Sequence, residues 1–427
     1  MRPPFPEGPY LVVGLARSGA AAARVLRQHG EVIGCDRGRP EPPEGIEAHL
    51  ESDGVELLDR ARTLVKSPGV PREAPAVAAA LERRIPVYGE LELAWRLLPN
   101  RFLAVTGTNG KTTTVELLGA VHRTAGVPAA VAGNVGTPLA SLVGRVDPDA
   151  VVVCEVSSFQ LEDSHEFSPE CALLLNLTED HLDRHGSFEA YRQAKLRVFA
   201  RQRREHMAVA PLHLKVPGLA ERVSFGGLGA DLALEDGELL WRGERLIGAG
   251  ELRLRGPHNV ENAMGAAAAA LATGIDRQPL CEALRGFAGV PHRLEEVGTV
   301  DGVLYVNDSK ATNVASAVRG IEAFEGGVHA ILGGSLKGGG FRGLRDAVAA
   351  RCRACYLIGE AAEQLAADLD GTVPLQTCGH LEAAVGAASA AAKPGETVLL
   401  SPACASYDQY RDYEERGDHF RSLIPKA

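Results

Sequence analysis

Short runs of β-branched and other apolar residues alternate with alanine-rich stretches along nearly the whole chain, and this alternation restricts the fold more than any other feature. It is the pattern of parallel strands joined by crossover helices, because parallel neighbours need a long connection that packs back on the sheet. "YLVVGLARSGAAAARVLRQHG" reads as strand, glycine turn and helix, and "EVIGCD" as the next strand, ending in Asp36. A second such unit opens at "RFLAVTGTNGKTTTVELLGAVHRTAG", after proline and asparagine interrupt the pattern in "RRIPVYGELELAWRLLPN". "DAVVVCEVSSF" and "CALLLNL" supply further strands, and short alternating runs between 208 and 256 predict a small antiparallel sheet beside a mainly parallel one. A third series, "GVLYVNDSK", "VHAILGGS", "ACYLIGE" and "ETVLLSP", follows residue 290. A chain of 427 residues exceeds one hydrophobic core, so the breaks predict α/β domains at 1–92, 93–289 and 290–427.

Charge and composition narrow the partners. A formal net charge of -10 argues against a nucleic acid, whose binding needs basic stripes to release counterions. Small phosphorylated ligands remain compatible, since a local loop suffices for them. No run reaches the roughly 18 to 20 apolar residues of a membrane span, and the first residues lack the apolar core of a signal peptide, so a cytoplasmic protein is expected; a monomer is expected as well. The eight cysteines lie mostly in apolar runs and read as small buried hydrophobes; the one C-x-x-C, Cys352 and Cys355, has no second pair to complete a zinc site.

Two glycine turns point to nucleotides. Gly14-Leu-Ala-Arg-Ser-Gly19 keeps the outer glycines of G-x-G-x-x-G but has Ala16 in the middle, which weakens a dinucleotide reading and leaves a structural turn or another nucleotide. "TGTNGKTTT" lacks the distal glycine of the usual phosphate loop, yet its second half is complete. Gly107 to Gly110 let backbone N–H groups converge on phosphate, Lys111 can neutralise it, and Thr112 offers a hydroxyl to Mg²⁺ at the start of a helix. Glu155 ends the apolar run "VVVCE", as a metal ligand or as an exposed strand-end carboxylate. "NLTEDHLDRHG" gathers Glu179, Asp180, His181, Asp183 and His185, either for metal or as a solvated loop.

Taken together, these segments resemble the Mur ligases, ATP-dependent amide-forming enzymes of peptidoglycan precursor synthesis. The resemblance rests on "TGTNGKTT", "GNVGTPL", "EVSSFQLE", "NLTEDHLDRHG", "YRQAKLRVF", "GPHNVENAMGA" and "NDSKATN", and runs nearly end to end. The tail "LSPACASYDQYRDYEERGDHF" is similar to the branch that adds D-glutamate to UDP-N-acetylmuramoyl-L-alanine, and the D-N-P-[RN] element of the diaminopimelate- and lysine-adding branches is absent. The implied fold is a Rossmann-like domain, a central P-loop ATPase domain and a Rossmann-like C-terminal domain. The implied chemistry activates the substrate carboxylate as an acyl phosphate, which the amino acid's amine then attacks.

By this resemblance Gly107, Thr108, Asn109, Gly110, Lys111, Thr112, Thr113, Asn259, Asn262, Arg293, Asp308 and Lys310 serve ATP. Thr112, Glu155, His181 and Lys195, the last as a carbamate derived from CO₂, would hold two Mg²⁺ ions; Lys111, Glu155, His181 and Lys195 form the implied catalytic set. Gly14, Arg17, Ser18, Gly19, Asp36, Arg37, Ser67, Pro68, Gly69 and Asn134 match the UDP-substrate site, which explains the missing middle glycine. Thr312, Lys337, Ser406 and Tyr413 match the D-glutamate pocket, Tyr413 replacing a familiar phenylalanine. Folylpolyglutamate synthase shares the loop and chemistry but not the N-terminal domain or the tail. An NAD-dependent dehydrogenase leaves Lys111 and Glu155 idle, and a non-catalytic nucleotide-binding protein explains the loop alone.

Overall fold

Tyr10–Val13 and Thr63–Lys66 are wholly buried runs, as expected where helices cover both faces of a parallel sheet. β1 (Tyr10–Val13), β2 (Val32–Asp36), β3 (Glu47–Leu50), β4 (Thr63–Lys66) and β5 (Val87–Gly89) form an all-parallel sheet in the order β3-β2-β1-β4-β5. The small side chains of helix Arg17–Leu26 allow close packing: Ala20 is buried, and Ala21 to Ala23 join the core of this sheet. A computed structural model describes residues 2–254, 256–336 and 340–424.

The second sheet holds nine strands: β6 (Phe102–Thr106), β7 (Ala129–Gly133), β8 (Val151–Glu155), β9 (Cys171–Leu174), β10 (Met207–Pro211), β11 (Glu221–Gly226), β12 (Leu232–Glu235), β13 (Glu238–Trp241) and β14 (Glu244–Gly248). Their order is β14-β13-β12-β11-β10-β9-β6-β8-β7. The antiparallel strands expected between 208 and 256 are β12 to β14, and they continue the central sheet through the parallel pair β11–β12. Helices Lys111–Thr124, Pro257–Ala272 and Arg277–Gly286 contribute to the core on one face, and helices Glu90–Leu97 and Phe188–Ala200 to the core on the other.

The third sheet comprises β15 (Glu295–Val300), β16 (Val303–Asn307), β17 (Val328–Gly333), β18 (Cys352–Ile358), β19 (Leu375–Gly379) and β20 (Thr397–Leu400), ordered β15-β16-β20-β17-β18-β19. Only β15 runs antiparallel to its neighbour. Among the described residues, three tight hairpins turn on Asp236-Gly237, Arg242-Gly243 and Asp301-Gly302, each with positive φ at both residues, the geometry that matches the twist of paired strands. Residues 1–287 and 288–427 make up two compact units, the first containing two sheets and the second one. Among the described residues no helix is long and apolar enough to cross a membrane, and the eight cysteines are free thiols.

Candidate active site

The phosphate loop leaves β6 in the middle of the second sheet, between β8 and β9, where loops from three strand ends converge. Gly110 caps helix Lys111–Thr124 at φ 82°, and a Cβ there would collide with the amide of Asn262, so glycine is required both for the turn and for the approach of the second helix. Asn262 in turn donates to Asn259 Oδ1 (3.3 Å), which brings both asparagines to this loop. The Lys111 ammonium lies back on the carbonyls of Gly107 and Thr108, each at 2.9 Å. Asn176 fixes the outer bend, its Oδ1 accepting from the Asn109 N–H at 2.9 Å. Thr113 is buried behind the loop.

Glu155 is the last residue of β8 and only 2% exposed. Its carboxylate accepts from the Thr112 hydroxyl (2.8 Å) and from the Asn134 amide (3.2 Å), both neutral donors. A buried anion satisfied in this way suits a cation added from outside, and the oxygen-rich set of Glu155 and Thr112 has the hardness that Mg²⁺ prefers. Lys195, on helix Phe188–Ala200, is also 2% exposed; its amine donates to Gly107 O at 2.8 Å and lies 4.6 Å from the Tyr191 ring centroid. Burial, and next the nearby Lys111 charge, push the Lys195 pKa down to about 7, with Asp180 and Glu155 opposing the shift.

The acidic and histidine-rich loop separates into two roles. His181 is half exposed, with a left-handed backbone (φ 51°) and its ring 4.9 Å from Phe159. His185 is instead buried, its Nδ1 3.0 Å from Glu162 Oε1 and its Nε2 3.0 Å from Ser158 Oγ, which makes it a support for the loop. Among the described residues no three His, Cys, Asp or Glu side chains gather as a metal group, so any metal here would also draw on Thr112, Lys195 or the nucleotide itself.

On the first sheet, Gly14, Asp36, Arg37 and Gly69 line a cavity of about 170 Å³ together with Ser52, Asp53 and Val70. Asp36 is held by the N–H groups of Leu15 and Gly38, both at 2.7 Å. Ser67 follows β4 directly, with Pro68 and Gly69 completing the turn, and Ser18 and Gly19 lie in the first turn of helix Arg17–Leu26. Arg17 reaches the carbonyl of Gly136 (2.8 Å) in the loop that also carries Asn134, which joins the two candidate ends of a substrate site.

In the second unit Asp308, at the end of β16, is buried and accepts from Ser401 Oγ (2.8 Å) and the Leu294 N–H (3.2 Å). Burial raises its pKa to about 6 despite those bonds. Lys310 lies 5.7 Å from the Tyr413 ring centroid, a position where the ring of a phenylalanine would serve equally, and the Thr312 N–H bonds to Lys310 O at 2.9 Å. Arg293 precedes β15, and Ser406 is buried in the loop after β20. Lys337 lies outside the described residues.

This combination of a shortened phosphate loop, a buried strand-end glutamate and a buried lysine is accompanied by sequence matches. The Mur ligase middle domain matches residues 105–226, and the Mur ligase glutamate ligase domain matches residues 292–404. A UDP-N-acetylmuramoylalanine–D-glutamate ligase of Acidobacterium capsulatum is 40% identical over 439 residues, covering 97% of this chain and 95% of that protein. The chain belongs to the Mur ligase family. A Salinibacter ruber protein of the same name is 42% identical over 451 residues, 97% of this chain and 96% of its own length. The fold of this Mur ligase also matches the crystal structure of UDP-N-acetylmuramate–alanine ligase from Thermotoga maritima, with a TM-score of 0.60 at 19% identity, across 97% of this chain and 98% of that one.

Several residues of this Mur ligase escape sequence reasoning. Tyr191 OH lies 3.0 Å from Thr108 Oγ1 and so ties the lysine-bearing helix to the loop; its spacing of four from Lys195 on one helix face was the available signal. Arg416, 1% exposed, donates to Ser309 Oγ (3.0 Å), Ser309 O (2.9 Å), Cys404 O (3.1 Å) and Ala405 O (3.2 Å). It thereby joins the loop bearing Asp308 and Lys310 to the loop bearing Ser406, and burial lowers its pKa to about 10.

Proposed function

We propose that the protein joins D-glutamate to UDP-N-acetylmuramoyl-L-alanine at the expense of ATP, with residues 1–92 taking the uridine diphosphate, 93–289 the ATP and 290–427 the amino acid. The full-length similarity to ligases of that name supports the reaction, and the arrangement of Lys111, Thr112, Glu155 and Lys195 around one strand end is the observation that carries the reading. Gly107 to Thr113 would cradle the triphosphate, with the helix N-terminus and the Lys111 ammonium meeting its charge. Asn259 and Asn262 flank that loop, and Arg293, Asp308 and Lys310 would also serve ATP.

Thr112, Glu155, His181 and Lys195 would hold two Mg²⁺ ions, which supply positive charge to the phosphoryl oxygens during transfer. The amine of Lys195 suits carbamylation: with a pKa of about 7 much of it is neutral at physiological pH, and a neutral amine is the form that adds CO₂. A carbamate would also present oxygens where an ammonium would repel metal. Asn134, Arg17 and the 67–69 turn would hold the substrate so that its terminal carboxylate attacks the γ-phosphate, giving an acyl phosphate and ADP. The D-glutamate amine, placed by Thr312, Lys337, Ser406 and Tyr413, then attacks the acyl carbon and phosphate leaves. Positioning and charge neutralisation account for the protein's part, since no side chain needs to bond covalently to substrate.

The test is phosphate release from ATP with UDP-N-acetylmuramoyl-L-alanine and one of four acceptors. D-Glutamate is expected to support turnover, and L-glutamate, diaminopimelate and lysine are not. Release with diaminopimelate but not with D-glutamate would overturn the specificity.

A further inference from the structure

The seam between the first and second sheets contains a buried ion pair that the catalytic reading leaves unused. Lys66 closes β4 immediately before the Ser67-Pro68-Gly69 turn, and its side chain is fully buried. The ammonium meets Asp163 Oδ2 at 2.5 Å and donates to the carbonyl of Val70 at 2.8 Å, so a single group both closes the turn and anchors it across the seam. Val70 and Gly69 line the 170 Å³ cavity that also holds Asp36 and Arg37. Asp163, 3% exposed at the side chain, follows helix Ser158–Glu162, whose Ser158 and Glu162 grip His185 below the His181 loop. Polar contacts and one short helix thus link the cavity on the first sheet to His185, below the His181 loop.

The neighbouring residues hold the same segment. Glu92 accepts from the N–H groups of His165 (3.2 Å), Glu166 (3.2 Å) and Phe167 (2.9 Å), and His165 Nε2 lies 2.8 Å from Val87 O on β5. With the seam already closed by these bonds, a buried ion pair adds little stability, because desolvation offsets the attraction and an apolar pair of similar volume commonly does as well. What the pair adds is a fixed length and direction between the turn and the helix.

We propose that Lys66 and Asp163 are a positioning pair that sets the distance between the uridine-diphosphate cradle and the centre where the substrate carboxylate is activated. The inference rests on the proposed function, since only a substrate held at both ends feels that distance. A displacement on the order of 1 Å at one anchor can lower the rate by up to about a hundredfold when the other anchor fixes the reacting group. A substrate without the uridine diphosphate is indifferent to it.

The experiment compares the wild type with Lys66→Met/Asp163→Leu, which removes both charges together and so leaves neither buried alone. Phosphate release is measured with D-glutamate and either the whole substrate or N-acetylmuramoyl-L-alanine lacking the uridine diphosphate. The expected result is a fall of about tenfold or more in kcat/KM, carried by kcat, for the whole substrate, with the truncated substrate and the melting temperature unchanged. Equal falls for both substrates, or no fall for either, would overturn the proposal. Should that variant not fold, Lys66→Gln/Asp163→Asn keeps volume and hydrogen bonding without charge, and the same two outcomes apply. A wild type inactive on the whole substrate would instead refute the parent reading, and the positioning role with it.

Discussion

The seam around Lys66 and the phosphate loop around Lys195 bury lysines to nearly the same degree, 1% and 2% exposed, yet prepare them for opposite uses. Burial pushes both pKa values down. At the seam the Asp163 carboxylate, in direct contact, pushes back, and the lysine serves as a cationic tie between two backbone segments. At the loop the Lys195 amine donates to a neutral carbonyl, and the largest effect of any charge on it comes from another ammonium, Lys111. Partner chemistry, more than burial, separates a lysine tied to a carboxylate from one held beside a neutral carbonyl.

Removing Lys195 breaks the comparison most sharply. Lys195→Ala is expected to lower kcat by about a hundred- to a thousandfold, the usual effect of losing a group that organises charge at the transferred phosphoryl. Added CO₂ should not restore the variant, because no amine remains to trap it, whereas short-chain carboxylates should restore part of the rate by supplying the missing oxygens. Full activity in steady-state phosphate release would eliminate the carbamate.

A smaller effect follows from the Lys195 amine itself. Its folded pKa of about 7 lies below the ordinary lysine value of 10.5, so between those two values the unfolded chain binds a proton that the folded chain does not. Stability from this group therefore increases as pH climbs from about 7 to about 10.5, is complete above that, and is lost as pH falls back toward 7. The slope approaches 1.4 kcal/mol per pH unit at most. Denaturant unfolding of the wild type and of Lys195→Met, compared from pH 7 to 9 without CO₂, isolates it; a difference that stays flat with pH would mean that the amine remains charged in the fold.

The legibility of these two lysines in the sequence differs for a physical reason. The phosphate loop, Thr112 and Glu155 were readable because strand, turn and helix signals are local, and a carboxylate ending an apolar run is conspicuous. Lys195 was readable only through resemblance, since a lysine in "YRQAKLR" looks like any helix-surface residue. Lys66 and Asp163 were not readable as a pair, because their contact depends on how two sheets meet. Arg416 hid in the polar run "YEERGD", where nothing local indicates that one guanidinium turns inward. β15 was missed because its side chains are half exposed and lack an apolar run, although the Asp301-Gly302 turn marks its hairpin with β16.

The smallest expected effect tests whether Asp163 is held by one cation or shared between two. Arg72 also approaches Asp163, at 3.9 Å from Oδ1, but its side chain is 43% exposed, whereas Lys66 is sealed at 2.5 Å. Water screens the longer contact and its guanidinium loses little solvation, so the pair behaves as a surface ion pair despite its buried acidic half. Arg72→Ala should therefore change unfolding free energy by less than about 0.5 kcal/mol and show little dependence on salt. A loss of about 2 kcal/mol or more, diminished by salt, would mean that the Asp163 charge is balanced from the solvent side, and Lys66 would then lose its standing as the cation that fixes the seam.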